Sequence, residues 1–366
     1  MQLEKEIARF DVSAISAEHF STHQLRGQKD VTIRAYISGC AGLTLTDLEL
    51  KLFQRKAPWG LILFKRNCES PQQITELVAS FRRIVGRKDA PVFIDQEGGR
   101  VQRIGPPTWR AYPNARSFGK LYAINPGLAL RSARSLGRLM ADELYALGLT
   151  ASCLPVLDAP QAGASEVIGN RAYDTRPERI MTLAHAHVAG LIEGGILPVM
   201  KHIPGHGRAM VDSHLELPVV DSSWLELENH DFLPFTGFAD YPMAMTAHVV
   251  YKAIDPEQPA TLSRKMVRNV IRKVIGFTGL LMTDDLSMKA LSGSFKQKAE
   301  LAYDAGCDML LHCNGQISEM EEVAENAQTF NAKIARRAKA ALRLRRKPQP
   351  YDEKQALRHL EAVAQA

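Results

Sequence analysis

PVFIDQEGGRVQR, residues 91–103, runs a short apolar segment into an aspartate and then into a Gly-Gly turn. An apolar run of this length, bounded by proline and a glycine pair, reads as a buried strand of a parallel sheet. With PVFID (91–95) counted, eight such runs recur: RAYISG (34–39), GLILF (60–64), CLPVLD (153–158), LPVMKH (197–202), MAMTAH (243–248), GLLMTD (279–284) and DMLLHC (308–313). Helix-period segments lie between most of them, at 70–86, 126–148, 176–195 and 262–276. Ser70-Pro71 opens the first of these, and Gly148 and Gly276 close two others. Strand and helix alternating in this way predict an α/β protein, a (β/α)8 TIM-type barrel, with an open doubly wound sheet as the competing arrangement. The strand ends favour the barrel. Asp95, Asp158, His202, His248 and Asp284 stand at or beside the C-terminal end of a run, and a closed barrel brings those ends to one mouth. The expected organisation is an N-terminal extension over 1–33, a catalytic barrel over 34–315, and C-terminal helices over 316–366 packed on the barrel.

The chain has 366 residues, 45% hydrophobic and 23% charged, which excludes disordered and collagen-like classes. Its formal net charge is +6, much of it in Lys333, Arg336, Arg337, Lys339, Arg343, Arg345, Arg346 and Lys347. A basic final helix more often faces solvent and complements its own dipole than binds nucleic acid, so no nucleic-acid partner is expected. The cysteines, Cys40, Cys68, Cys153, Cys307 and Cys313, are odd in number, scattered and without a CxxC pair. That pattern suggests reduced thiols. MQLEKEIARF alternates charges before any apolar run, and no segment approaches the ~18 apolar residues of a membrane span. The expectation is a soluble cytoplasmic protein, a monomer or weak homo-oligomer with no membrane partner.

Four loops could carry chemistry. In IDQEGGRVQR (94–103) the glycines let the backbone turn sharply, while Asp95, Glu97, Arg100 and Arg103 offer acceptors and donors suited to hydroxyl groups. Taken alone, such a loop serves structure as readily as function. In VIGNRAYD (167–174), Arg171 is a carboxylate or sugar clamp, or a surface charge. In TDDLSM (283–288), alternation along a strand turns Asp284 into the mouth and Asp285 away from it, where it can cap backbone. Asp284 is then the better nucleophile or electrostatic stabiliser. In KHIPGHGRAMVDSH (201–214), His202 and His206 are separated by Ile-Pro-Gly and cannot share a helical face, which argues against a zinc site. Asp212 and His214 are two apart, so the carboxylate can bond one imidazole nitrogen and leave the other to exchange protons.

Together these residues resemble glycoside hydrolase family 3, and within it the single-domain bacterial β-N-acetylhexosaminidases of peptidoglycan recycling. The resemblance covers roughly 34 to 315 and rests on IDQEGGRVQR, PVLD, IGNRAYD, KHIPGHG followed by DSH, PMAMTAHV and TDDLSM, in that order. It implies a (β/α)8 barrel. It implies Asp284 as a nucleophile forming a covalent glycosyl-enzyme, His214 as general acid/base, and Asp212 as its dyad partner. It implies Asp95, Arg103, Arg171, Lys201 and His202 as sugar-binding positions. The implied activity is exo-acting, retaining removal of terminal β-linked GlcNAc from muropeptide fragments or another GlcNAc-containing saccharide, with no metal or organic cofactor. A histidine then stands where glycosidases usually use a second carboxylate. Three alternatives stay open: a phosphorylase, since neutral histidine repels incoming phosphate less than a carboxylate does; a non-catalytic sugar-binding barrel; and a barrel metallohydrolase. The chain departs from the family's usual KHFPGHG at Ile203, an apolar exchange, and from its usual Asp at Asn170, which removes a charge beside Arg171.

Overall fold

The structure, a computed structural model, describes residues 32–365, so the expected extension over 1–33 lies almost wholly outside the described residues. Eight strands form: β1 (Arg34–Ser38), β2 (Pro58–Leu63), β3 (Val92–Ile94), β4 (Ala151–Ser152), β5 in two pieces (Leu197–Pro198 and Met200–Ile203), β6 (Met243–Thr246), β7 (Leu280–Asp285) and β8 (Met309–His312). Seven coincide with the expected runs; β4 instead ends just before CLPVLD (153–158), which joins the sheet through the isolated bridge Val156–Lys201. Every pairing between them is parallel. The sheet runs from Leu197–Pro198 through β4, β3, β2, β1, β8, β7 and β6 to Met200–Ile203. Its two ends are halves of one strand, so the sheet closes on β5 as a (β/α)8 barrel. An open doubly wound sheet is ruled out, because it would leave two separate edges.

Side chains alternate between two cores, as the pleat requires. Ile37, Ile62, Phe93, Met243, Met245, Leu280, Met282, Met309 and Leu311 fill the barrel interior. Their strand neighbours Tyr36, Leu61, Leu63, Val92, Ile94, Ala244, Leu281 and Leu310 face the surrounding helices. Apolar burial on both faces explains why the strands read as continuous apolar runs.

The helices are α1 (Asp47–Arg55), α2 (Pro71–Ile84), α3 (Ala115–Ile124), α4 (Pro126–Ala146), α5 (Pro177–Glu193), α6 (Phe295–Ala305), α7 (Ile317–Asn326), α8 (Ala332–Arg343) and α9 (Glu353–Ala364). Ser70 caps α2 by accepting from the Gln73 N–H, with Pro71 at the first helical position, as the sequence predicts. Two crossovers differ from expectation. Met266–Val274 winds as a wide helix whose backbone bonds reach five residues back, as from the Ile275 N–H to the Val270 carbonyl, and it buries Met266, Val267, Val270, Ile271 and Ile275. Between β5 and β6 the chain forms only short helical pieces, the last opening at Leu233-Pro234, where proline has no N–H to continue the ladder.

Helix α7 packs against β1, α1 and α6, in the place of an eighth crossover. Helix α8 lays Ile334, Ala338 and Ala341 on the barrel's inner core. Part of the basic C-terminal stretch is spent inside the fold: Arg337 bonds both oxygens of Asp308 at 2.9 Å, and Arg345 donates to the carbonyls of Gly195 and Leu149. No helix among the described residues is long and apolar enough to cross a membrane.

Candidate active site

The residues that fill the barrel interior set which side chains emerge at its mouth. On β7, Leu280 and Met282 point inward, so Asp284 follows them into the pocket. Asp285 borders the same pocket, contrary to the expectation that it turns away, because its carboxylate is held at the rim by backbone: it accepts from the N–H groups of Ser287 (3.0 Å) and Cys313 (3.1 Å), tying β7 to the end of β8. The same parity carries Ile62 to Phe64, Phe93 to Asp95, Val199 to Lys201 and Leu311 to Cys313. Phe64, Asp95, Lys201 and Cys313 line one pocket of ≈ 290 Å³ at the C-terminal mouth. Its wall brings together all eight expected site residues: Asp95, Arg103, Arg171, Lys201, His202, Asp212, His214 and Asp284.

One side of the pocket is an ion-pair network. Lys201 Nζ lies 2.8 Å from Asp95 Oδ1 and 2.6 Å from Glu97 Oε1. Arg103 donates to the other Asp95 oxygen at 2.9 Å, while Arg171 grips Glu97 through Nε and Nη2, both at 2.9 Å. Burial by itself would raise both carboxyls. The Lys201 ammonium and Arg103 guanidinium outweigh it for Asp95, holding it far below the usual range; Arg171 and Lys201 hold Glu97 down to about 2. Burial would equally lower Lys201, and its two carboxylates raise it instead. Every charge is therefore fixed in its ionised form. The Gly98-Gly99 turn, at φ +92° and +59°, folds this loop back tightly: a Cβ on Gly98 would collide with the Pro113 carbonyl.

A second network centres on Asp158. Its Oδ2 accepts from His202 Nδ1 at 2.7 Å, and its Oδ1 accepts the backbone N–H groups of His202 and His206. With Nδ1 committed, His202 keeps Nε2 for the pocket. Buried His206 sits with its pKa lowered to about 4, first by burial and then by His202, so it is neutral. On the rim, Asp212 Oδ1 lies 2.7 Å from His214 Nδ1 and accepts the His214 backbone N–H at 2.9 Å. Asp284 is half-buried. Burial would raise its carboxyl, but His248, His202 and the Asp285 N–H hold it below the usual range, so it is ionised.

Comparison with known proteins places this arrangement. The model of the glycosyl hydrolase family 3 N-terminal domain matches residues 49–345. The chain belongs to glycoside hydrolase family 3. Among its family 3 relatives, the Beta-hexosaminidase of Nitrosomonas eutropha is 40% identical over 298 residues, 80% of this chain and 84% of the relative. Native NagZ from Neisseria gonorrhoeae superposes with TM-score 0.79 at 32% identity, covering 91% of this chain and 97% of that one. The same NagZ in complex with N-trifluoroacetyl-D-glucosamine gives the same TM-score of 0.79.

Two departures from the usual family 3 motifs are explained locally. Ile203 is fully buried in the core between barrel and helices, where another apolar side chain serves. Asn170 is exposed, and Arg171 is held not by it but by Glu97 and the Val167 carbonyl. Sequence reasoning named Glu97 and Asp158 as candidates at the mouth but gave neither a role among the assigned site residues. For Glu97 a signal was present, since it shares the parity of Asp95; for Asp158 it was the carboxylate closing an apolar run. Phe64, stacked under the Arg103 guanidinium at 5.1 Å, lay unmarked at the end of β2. Among the described residues, no group of three or more His, Cys, Asp or Glu is arranged to hold a metal ion.

Proposed function

We propose that this family 3 protein is a retaining, exo-acting β-N-acetylglucosaminidase that removes terminal GlcNAc from muropeptide fragments. It is a glycoside hydrolase of the β-N-acetylhexosaminidase class, like its relatives. The observation that carries the reading is the meeting of ionised Asp284 and the Asp212–His214 pair across one small pocket whose remaining wall is hydroxyl-binding charge. A volume of ≈ 290 Å³ sits at the small end of ligand pockets and suits one sugar ring, hence action at a chain end. The neighbour that binds an N-acylated glucosamine analogue supports GlcNAc in that position. Five free cysteines fit a reducing compartment, the cytoplasm.

The chemistry follows as two displacements. Asp284 attacks the anomeric carbon while His214 gives the proton on Nε2 to the departing oxygen, producing a covalent glycosyl-enzyme and a neutral imidazole. Water then enters, His214 Nε2 takes its proton, and the C1–O bond to Asp284 breaks, restoring both groups with net retention. Asp212 holds Nδ1–H throughout and stabilises the imidazolium. Asp95, Arg103, Lys201 and His202 grip the sugar, and Arg171 closes the wall beside them. The direct test is trapping. His214→Ala supplied with p-nitrophenyl N-acetyl-β-glucosaminide should gain the mass of one N-acetylhexosaminyl unit, on the peptide containing Asp284. An adduct on another carboxylate, or none under turnover conditions, removes the assignment.

A further inference from the structure

Between Asp212 and His214 stands a residue that the proposed chemistry leaves unused. Ser213 is 3% exposed although its neighbours open to solvent, so the arm turns its middle residue inward. Its hydroxyl lies 3.0 Å from Nε2 of His206, and its carbonyl accepts the N–H of Ala290 at 3.3 Å, in the loop that follows β7 and its Asp284. The bonds between Asp212 and His214 are internal to the arm. They orient the imidazole against the carboxylate but do not fix where the pair stands in the mouth. Ser213 supplies that tie.

His206 is itself firmly held. Its backbone N–H bonds Asp158 Oδ1 at 2.6 Å, and its ring stands edge-on to His202 with centroids 5.8 Å apart. Nδ1 of this buried ring has no partner among the described residues. An unpaired buried lone pair is better tolerated than an unpaired N–H, so the proton belongs on Nε2 and the bond runs from Nε2–H to Ser213 Oγ. A continuous chain thus leads from the sugar-gripping His202 through Asp158 and His206 to the arm.

We propose that His206 and Ser213 are positioning residues, a latch that sets where His214 stands relative to Asp284. The inference rests on His214 being the acid/base, and its consequence is specific. Loosening the latch leaves the sugar grip and the nucleophile intact and impairs only proton delivery, so the damage depends on how much the leaving oxygen needs a proton.

The test compares kcat/KM, which reports the first displacement, on a β-linked GlcNAc disaccharide and on an activated dinitrophenyl glycoside. Ser213→Ala should lose about tenfold on the disaccharide and less than about twofold on the aryl substrate, a fraction of the 10²–10⁴ that general acid catalysis supplies. Inhibition by free GlcNAc should be unchanged. Ser213→Thr, which keeps the hydroxyl, should recover most of the disaccharide rate. Equal losses on both substrates, or no loss on either, would overturn the latch. His214→Ala is run beside it: if that variant shows a steep leaving-group dependence while Ser213→Ala is flat, the latch alone fails. If His214→Ala is itself flat, the acid/base assignment fails and the latch with it.

Discussion

The Lys201 side chain is 3% exposed and lies against two carboxylates, whereas that of His214 is 62% exposed and bonds its neighbour Asp212. The two halves of the site differ in origin as well as burial. The grip assembles Asp95 and Glu97 from the end of β3, Lys201 from β5 and Arg171 from the helical turn Gly169–Arg171, each charge neutralised by a partner from elsewhere in the chain. The arm is made from one short sequence. Physical need accounts for the contrast. Groups that hold a sugar in a dry pocket must be ionised and immobile, and isolated charge there is costly, so each needs a partner. A group that trades protons with substrate and then water must reach both, so it stands open. Substitutions in the grip should therefore damage the fold, and substitutions in the arm should damage chemistry alone.

The largest effect falls on the residue both halves serve. Asp284→Ala should lower kcat/KM by about 10⁴-fold or more, the scale seen when a covalent nucleophile is removed. Near-normal turnover of p-nitrophenyl N-acetyl-β-glucosaminide in that variant would take Asp284 out of the mechanism. Next comes the arm. His214→Ala should cost about 10²–10³-fold on a disaccharide and much less on an activated aryl glycoside. Its unfolding free energy should stay within about 0.5 kcal/mol of the parent, because an exposed side chain is lost. A large stability loss would break the contrast between arm and grip.

Lys201→Met probes the other half and should be destabilising by about 2–3 kcal/mol in urea unfolding. That is less than the 3–5 of a wholly orphaned buried charge, because Arg103 still faces Asp95 and Arg171 still faces Glu97. An unchanged unfolding midpoint would mean that the remaining arginines hold both carboxylates unaided.

The barrel was legible because its strands are buried on both faces and end in chemistry. Period-two parity carried Asp284 into the pocket behind Leu280 and Met282, but it did not exclude Asp285, which also borders the pocket while tying the backbone of Cys313. The pair Asp212–His214 was legible because its contact is local. What escaped were the roles of residues whose meaning lies in distant partners. Glu97 joins Arg171 and Lys201, Asp158 joins His202 and His206, and Ser213 matters through His206 and Ala290. No spacing rule reports contacts across a barrel mouth. The wide turns of Met266–Val274 escaped for a related reason: the apolar spacing lies between two helical periods, and packing decides.

The smallest effect concerns acid. Half-buried His185 and buried His187 and His206 have their pKa values pushed down by burial from 6.5 to about 4, 3 and 4. In the unfolded chain such groups bind a proton near pH 6.5, but in the fold only much lower. Below about pH 6.5 the unfolded state therefore binds more protons, and stability must fall as pH drops towards 4 and, for His187, towards 3. Above that range these groups contribute no slope. Glu97, held down to about 2 by Arg171 and Lys201 against its burial, adds a second loss between about 4.5 and 2. The fold thus weakens in sequence, through these histidines first and the grip later. His187 isolates one contribution, since its ring is wholly buried and its Nδ1 lies 2.7 Å from the Tyr173 hydroxyl, a partner that glutamine can also meet. Between pH 7 and 5.5, His187→Gln should lose about 1 kcal/mol less stability than the parent, read from urea unfolding at each pH. If parent and variant weaken in parallel across that range, His187 is not among the groups whose burial sets the acid limit.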